Sequence, residues 1–242
     1  MLSSELKNLY DGYYNNGVNQ KRILSAKDSV REIICVTEGK KISNILDVGS
    51  GDGTVLAEMD AIALSQKISV AEISKSGIDV IEKRKLNSVV EIKQFDGYSV
   101  PYTDKVFDVS MAIYVLEHVE HERMFLKELA RVANRVVIAV PLENTISLRK
   151  SIFAGKSIGH INFYNLHTFR SVLETSGLKI EKSYPYATSL EYEKYCSPRF
   201  GAVKYYIRKY MLLVTPKLAC FLFTYMAIAI CSSSSTVDNE IK

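Results

Sequence analysis

The chain has 242 residues, of which 24% are charged and 47% hydrophobic, a balance that suits one globular domain and excludes a disordered or fibrous chain. Its formal net charge of +4 is too mild to imply nucleic acid by itself. The four cysteines, Cys35, Cys196, Cys220 and Cys231, are scattered with no C-x-x-C pair. Neither a metal site nor a disulfide framework is indicated, and with no apolar signal core at the N-terminus a cytoplasmic protein is expected.

Helices are expected near Ser3–Tyr14 and Lys21–Val36, making an N-terminal arm over residues 1–40 that carries Tyr10, Tyr13 and Tyr14. The β-prone run Ile42–Val48 then stops at a turn holding Gly49, Gly51 and Gly53, and a helical pattern follows. A strand, a glycine loop and a helix in this order let a ligand sit against bare amides at a helix N-terminus. The run reads D-x-G-x-G-x-G, which is neither the dinucleotide fingerprint nor a phosphate loop. Asp47 at the loop would repel a pyrophosphate and suits a ligand with an ammonium and a sulfonium centre, which points to S-adenosylmethionine (SAM).

Further strands are expected near 67–73, 89–95, 106–113 and 134–140, with helices near 54–63, 75–85 and 121–132. That alternation means a parallel sheet with right-handed crossovers. Glu72 lies 19 residues beyond Gly53, placed at a strand tip to accept hydrogen bonds from ribose hydroxyls. Asp96-Gly97 ends the third strand, where a carboxylate can accept from an adenine amino group. Pro141 is expected to stop the fifth strand. A loop over 141–164 leads to a helix near Asn165–Ser176, capped by Gly177, and to a sixth strand near Leu178–Tyr184.

Taken together, Ile45–Leu56, Val70–Ser74, Phe95–Gly97 and Val106–Val119 resemble the class I SAM-dependent methyltransferases, most of all the small-molecule branch with the quinone-biosynthesis enzymes. The resemblance implies a Rossmann-like α/β fold with a seven-stranded sheet and an antiparallel last strand, for which Thr224–Cys231 is the candidate. It also implies SAM as cofactor, S-adenosylhomocysteine as product, and cofactor contacts from Asp47, Gly49, Ser50, Gly51, Glu72, Ile73, Asp96 and Gly97. The backbone around Ala112 and Ile113 is expected to face the methionine part.

On this reading residues 1–231 form a single domain: the arm, a SAM-binding core over 41–184, a helical cap insertion over 185–222, and the last strand within 223–231. A polar tail follows over 232–242. The apolar run 211–231 is interrupted by Pro216 and Lys217, leaving too few residues to span a bilayer. From Lys194 to Lys217 the insertion holds six basic residues and no acidic one, with five aromatics among them.

Methyl transfer from a sulfonium is an in-line displacement that needs positioning and, for some acceptors, a base. No metal is required. The expected reaction is O- or N-methylation of a small organic acceptor, anionic or carrier-bound among the possibilities, in a pocket between the arm, the 141–164 loop and the insertion. His160, in Gly159-His-Ile-Asn-Phe-Tyr164, is the candidate base, with helix capping as its other reading, and His118 reads as a packing residue. Tyr13, Tyr14, Tyr114, His160 and Tyr164 are the candidate acceptor contacts. Quinone or lipid C-methylation, RNA or protein methylation and a non-catalytic SAM-binding subunit stay open, as does self-association. Nothing after the fourth strand reads Asn/Asp-Pro-Pro-Tyr, so nucleic acid is not an expected partner.

Overall fold

A computed structural model describes residues 19–156 and 159–233. Helix α1 (Gln20–Val36) starts at Asn19, whose side chain accepts from the Arg22 amide, and buries Ala26, Val30, Ile33 and Val36. Those positions recur every three or four residues, so they form one stripe against the sheet. This helix is therefore a core element, although the sequence suggests an arm. Ser3–Tyr14, with Tyr10, Tyr13 and Tyr14, lies outside the described residues.

The chain continues through β1 (Ile42–Val48), α2 (Thr54–Ala61), β2 (Ser65–Glu72), α3 (Lys75–Arg84), β3 (Val89–Gln94) and β4 (Phe107–Ile113). A 3-10 turn (Leu116–His118), α4 (Glu122–Val132), β5 (Ala133–Leu142), α5 (Leu148–Lys156), α6 (Leu166–Thr175) and β6 (Leu178–Tyr186) follow. Three helices, α7 (Leu190–Cys196), α8 (Gly201–Val214) and α9 (Pro216–Leu222), precede β7 (Tyr225–Ser233). The sheet has the order β3-β2-β1-β4-β5-β7-β6, and β7 runs antiparallel to both of its neighbours.

Alternation along the strands divides the core between the two faces. Leu46 and Val48 of β1 pack with Ala227, Ala229 and Cys231 of β7 on one face, beneath α4 and α6. Ile45, Ile228 and Ile230 pack on the other, beneath α1. A central strand covered on both sides is apolar throughout, which is why the last apolar run is a strand. No helix among the described residues is long and apolar enough to cross a membrane.

Three boundaries differ from the sequence reading. The 141–164 stretch is not a plain loop, because α5 occupies its middle; its pattern is weak, with Gly155 inside and Phe153 84% exposed. Pro141 does not end β5, which continues to Leu142 in register with Met226 and Tyr225. Pairing with β4 stops at Ala139, so the proline costs no bond on that side. Strand β7 extends to Ser233, and Ser232 is paired with Arg135 rather than starting a tail.

Candidate active site

The glycine loop after β1 is set by close approaches. Gly49 has φ +77° and its amide donates to the Ala71 carbonyl at 2.8 Å. A Cβ there would meet Val115 at 2.7 Å, so a side chain would push the loop off the turn that follows β4. Gly51, φ +58°, donates its amide to Glu72 Oε2 at 2.8 Å. Glu72 Oε1 accepts from the Ser74 amide at 2.9 Å. Each oxygen of this buried carboxylate keeps a further lone pair, and Glu72 lines a cleft with Gly49, Ile73, Phe95, Gly97 and His118. Burial pushes its pKa up to about 7, against the two amides and with the Asp47 charge adding to the rise.

The cleft continues past Gly49 and Tyr114 to a second lobe lined by Arg22, Ser29, Ser50, Gly51 and Ile113. Arg22 pairs with Asp52 at 2.9 Å and brings a cation to the glycine loop. Tyr114 belongs to both lobes. It has φ +59°, a conformation that costs a non-glycine residue about 1 kcal/mol. Its hydroxyl lies 2.7 Å from the Tyr186 hydroxyl and accepts from Ser29 at 3.4 Å, which holds the ring across the cleft.

The remaining expected contacts divide. Asp47 does not line either lobe: it is buried under the loop, and burial pushes its pKa up to about 6, partly offset by Ser50. Asp96 is exposed, with Oδ1 accepting from the Tyr98 and Ser99 amides at 2.9 and 2.7 Å. Those amides hold its pKa below the usual carboxylate range, and Oδ2 is the atom left for an adenine amino group. Ala112 is fully buried in the core, whereas its neighbour Ile113 reaches the cleft. Tyr164 is turned away: its hydroxyl donates to Glu122 and to the Leu116 carbonyl, and the residue lines a separate groove.

The two histidines exchange the places expected of them. His118 lines the cleft and His160 does not; His160 packs behind it with ring centroids 4.8 Å apart. His118 Nδ1 lies 2.9 Å from the Gly159 carbonyl, which can only accept, so Nδ1 carries the proton and Nε2 is the acceptor. Burial, opposed by the Gly159 hydrogen bond and helped by the neighbouring His160, lowers its pKa to about 4. His160 Nδ1 pairs with Glu143 Oε2 at 2.7 Å. Burial lowers its pKa, but the Glu143 hydrogen bond and the Glu117 and Glu143 charges outweigh this and raise it.

Behind both rings Glu117 is buried, its Oε2 without a hydrogen-bond partner, and burial pushes its pKa up to about 8. Ligand atoms of Glu117, His118 and His160 lie within 4.8 Å of one another, close enough to hold a cation, a grouping the sequence spacing does not display. Asn162 fixes the turn that carries them, donating to the Leu116 and Val119 carbonyls at 3.1 and 2.7 Å. The acceptor side was expected between the arm, the 141–164 loop and the insertion. Among the described residues both lobes are lined by positions between Arg22 and Phe125, and the arm residues expected on the acceptor side lie outside the described residues.

A parallel sheet with a glycine loop, a buried strand-tip glutamate and an antiparallel last strand defines a nucleotide-binding α/β domain of the methyltransferase class. The chain belongs to the methyltransferase domain family, whose model matches residues 20–183. It is 28% identical over 139 residues to ajmaline N-methyltransferase of Rauvolfia serpentina, covering 52% of this chain and 47% of that protein. The chain thus spans about half the length of the curated relatives it matches.

Among solved structures, geranyl diphosphate C-methyltransferase from Streptomyces coelicolor A3(2), in complex with Mg2+, geranyl diphosphate and S-adenosylhomocysteine, gives a TM-score of 0.59. The identity is 12%, covering 85% of this chain and 79% of that one. The [4+2]-cyclase SpnF gives 0.60 at 14% identity, covering 86% and 80%. Likeness at this level shows the fold alone, and the fold carries more than one reaction.

Proposed function

We propose that this protein transfers a methyl group from SAM to a nitrogen or oxygen of a small organic acceptor, with nitrogen favoured. The observation that carries this reading is the neutral imidazole of His118 on the same cleft as Glu72 and Gly49. The donor set suits the cofactor: Glu72 for ribose hydroxyls, Phe95 and Gly97 beside an adenine ring, and Arg22 with the glycine-loop amides for a carboxylate. Asp47 is retained as an electrostatic partner acting from beneath the loop, and Ser50, Gly51, Ile73, Asp96 and Ile113 as its neighbours. When bound, SAM supplies the electrophilic methyl group.

His118, on the cleft wall with Val115 and Val119, positions the acceptor against the methyl group. A group with pKa about 4 is too weak a base to ionise a phenol or to deprotonate a methylated ammonium at neutral pH. A neutral amine attacks through its own lone pair, and the product leaves as the ammonium and gives its proton to solvent. Tyr114 walls the acceptor, and apolar Val115, Val119 and Phe125 exclude water. His160 holds a positioning role: paired with Glu143, it sets the His118 ring from behind and does not meet the acceptor.

Methyl-labelled SAM offered with metabolite extracts tests the reading. Label is expected in a small amine or hydroxy compound; label only in RNA, protein or at carbon contradicts it. His118→Ala is expected to lower turnover at least about 100-fold while S-adenosylhomocysteine affinity stays within a few-fold. An unchanged rate removes His118 from the chemistry.

A further inference from the structure

Helix α8 is fixed to the body along one side. At Gly201 a Cβ would meet the Glu193 carbonyl oxygen of α7 at 2.2 Å, so the two helices touch through backbone. Arg208 points inward, pairing with Glu193 at 3.0 Å and donating to the Thr224 carbonyl, and Tyr225 Oη donates back to the Arg208 carbonyl at 2.8 Å. Lys204 also pairs with Glu193, at 2.9 Å.

The opposite side carries Val203, Tyr206, Ile207, Tyr210, Leu213 and Val214, exposed from 50% at Ile207 to 81% at Leu213. At about 100° per residue these six lie within roughly a third of the helix circumference. Helix α9, next in the chain, exposes apolar groups of its own: the Ile146 amide donates to the Phe221 carbonyl at 2.8 Å, bringing Ile146 (63% exposed) to the helix that carries Phe221 (53%) and Leu218 (49%). A patch of this kind marks an interaction surface.

The charge around it selects the partner. Lys194, Arg199, Lys209 and Lys217 are exposed along the same segment, and no acidic residue lies between Lys194 and Lys217. A second copy docked on this face would set those cations against each other with no counter-charge. An anionic lipid surface meets both features: acyl chains take the stripe, tyrosines sit at the headgroup boundary, and headgroups take the lysines and arginine. We propose that α8 and α9 dock the protein in-plane on an anionic membrane surface.

Flotation of the full chain with vesicles tests this, using phosphatidylcholine alone or mixed with phosphatidylglycerol. Binding is expected to be at least about tenfold stronger with phosphatidylglycerol and to weaken as salt rises. The double variant Tyr206→Asp, Leu213→Asp is expected to lower that binding at least about tenfold, with Tm and S-adenosylhomocysteine affinity unchanged because both side chains are exposed. Val90→Asp, on the edge strand β3 at the other end of the sheet, is expected to leave it unchanged. No binding to the anionic vesicles overturns the proposal, as does equal binding by the double variant. A dimer in solution that the double variant breaks, without vesicle binding, assigns the face to a second copy.

Discussion

Each wall of the cleft buries a glutamate, and the fold treats the two differently. Glu72 has a backbone amide on each oxygen, from Gly51 and Ser74, whereas Glu117 keeps Oε2 without a partner. Burial is the first cause of a raised pKa in both, to about 7 and about 8. The difference lies in where the neighbours come from. Glu72 is held by backbone amides, one from Gly51 in the β1 loop 21 residues earlier and one from Ser74 two residues later, so the β1 loop and the start of α3 fix its geometry. Glu117 meets His118, Glu143 and His160, gathered from the ends of β4 and β5 and the turn before α6. The first wall is preorganised by backbone for binding, and the second is assembled from titratable side chains that chemistry can use.

The largest effect is expected on the first wall. Glu72→Gln removes charge from two acceptor positions and should weaken S-adenosylhomocysteine binding at least about 100-fold by calorimetry. Because Glu72 also holds two buried amides, a modest fall in Tm should accompany it, and Glu72→Ala should cost more. On the second wall His160→Gln is expected to lower turnover about tenfold or less, since a positioning residue acts through His118. A loss of at least about 100-fold would restore His160 as the base and break the contrast between the two rings.

Glu117 supplies a stability test. Its folded pKa of about 8 stands above the ordinary 4.5, so the folded state binds more protons between those values. Its contribution to stability is full below pH 4.5 and is lost as pH rises through 8. The Tm of Glu117→Gln relative to the unsubstituted protein should therefore rise by roughly 5 °C from pH 5 to pH 8. A constant difference would mean that Glu117 is solvated. The smallest effect is expected from Asn162→Ala, which frees two carbonyls of the turn and should lower Tm by about 3 °C.

The contrast also explains what could be read in advance. The strands and the glycine loop announce themselves through local pattern: apolar runs, three glycines within five residues, and a glutamate at a set distance. Ile45–Val48 and Ala227–Cys231 are apolar because both faces of the sheet are covered. Helix α5 gives no such signal, since it carries Gly155 and presents Phe153 to solvent. Which histidine meets the cleft depends on how the Gly159 turn packs against the turn after β4, a contact between residues 41 apart. The inward turn of Arg208 toward Glu193 and Thr224 is likewise tertiary, and a count of basic residues could not foresee it.

Calorimetry with S-adenosylhomocysteine across pH addresses the central claim, that this cleft binds SAM through an ionised Glu72. Binding favours the carboxylate over its protonated form, so affinity should rise as pH climbs through about 7 and then level off, and Glu72→Gln should bind weakly with little pH dependence. Folded protein that takes up no S-adenosylhomocysteine at any pH, or a Glu72→Gln variant that binds like the unsubstituted chain, would contradict the account.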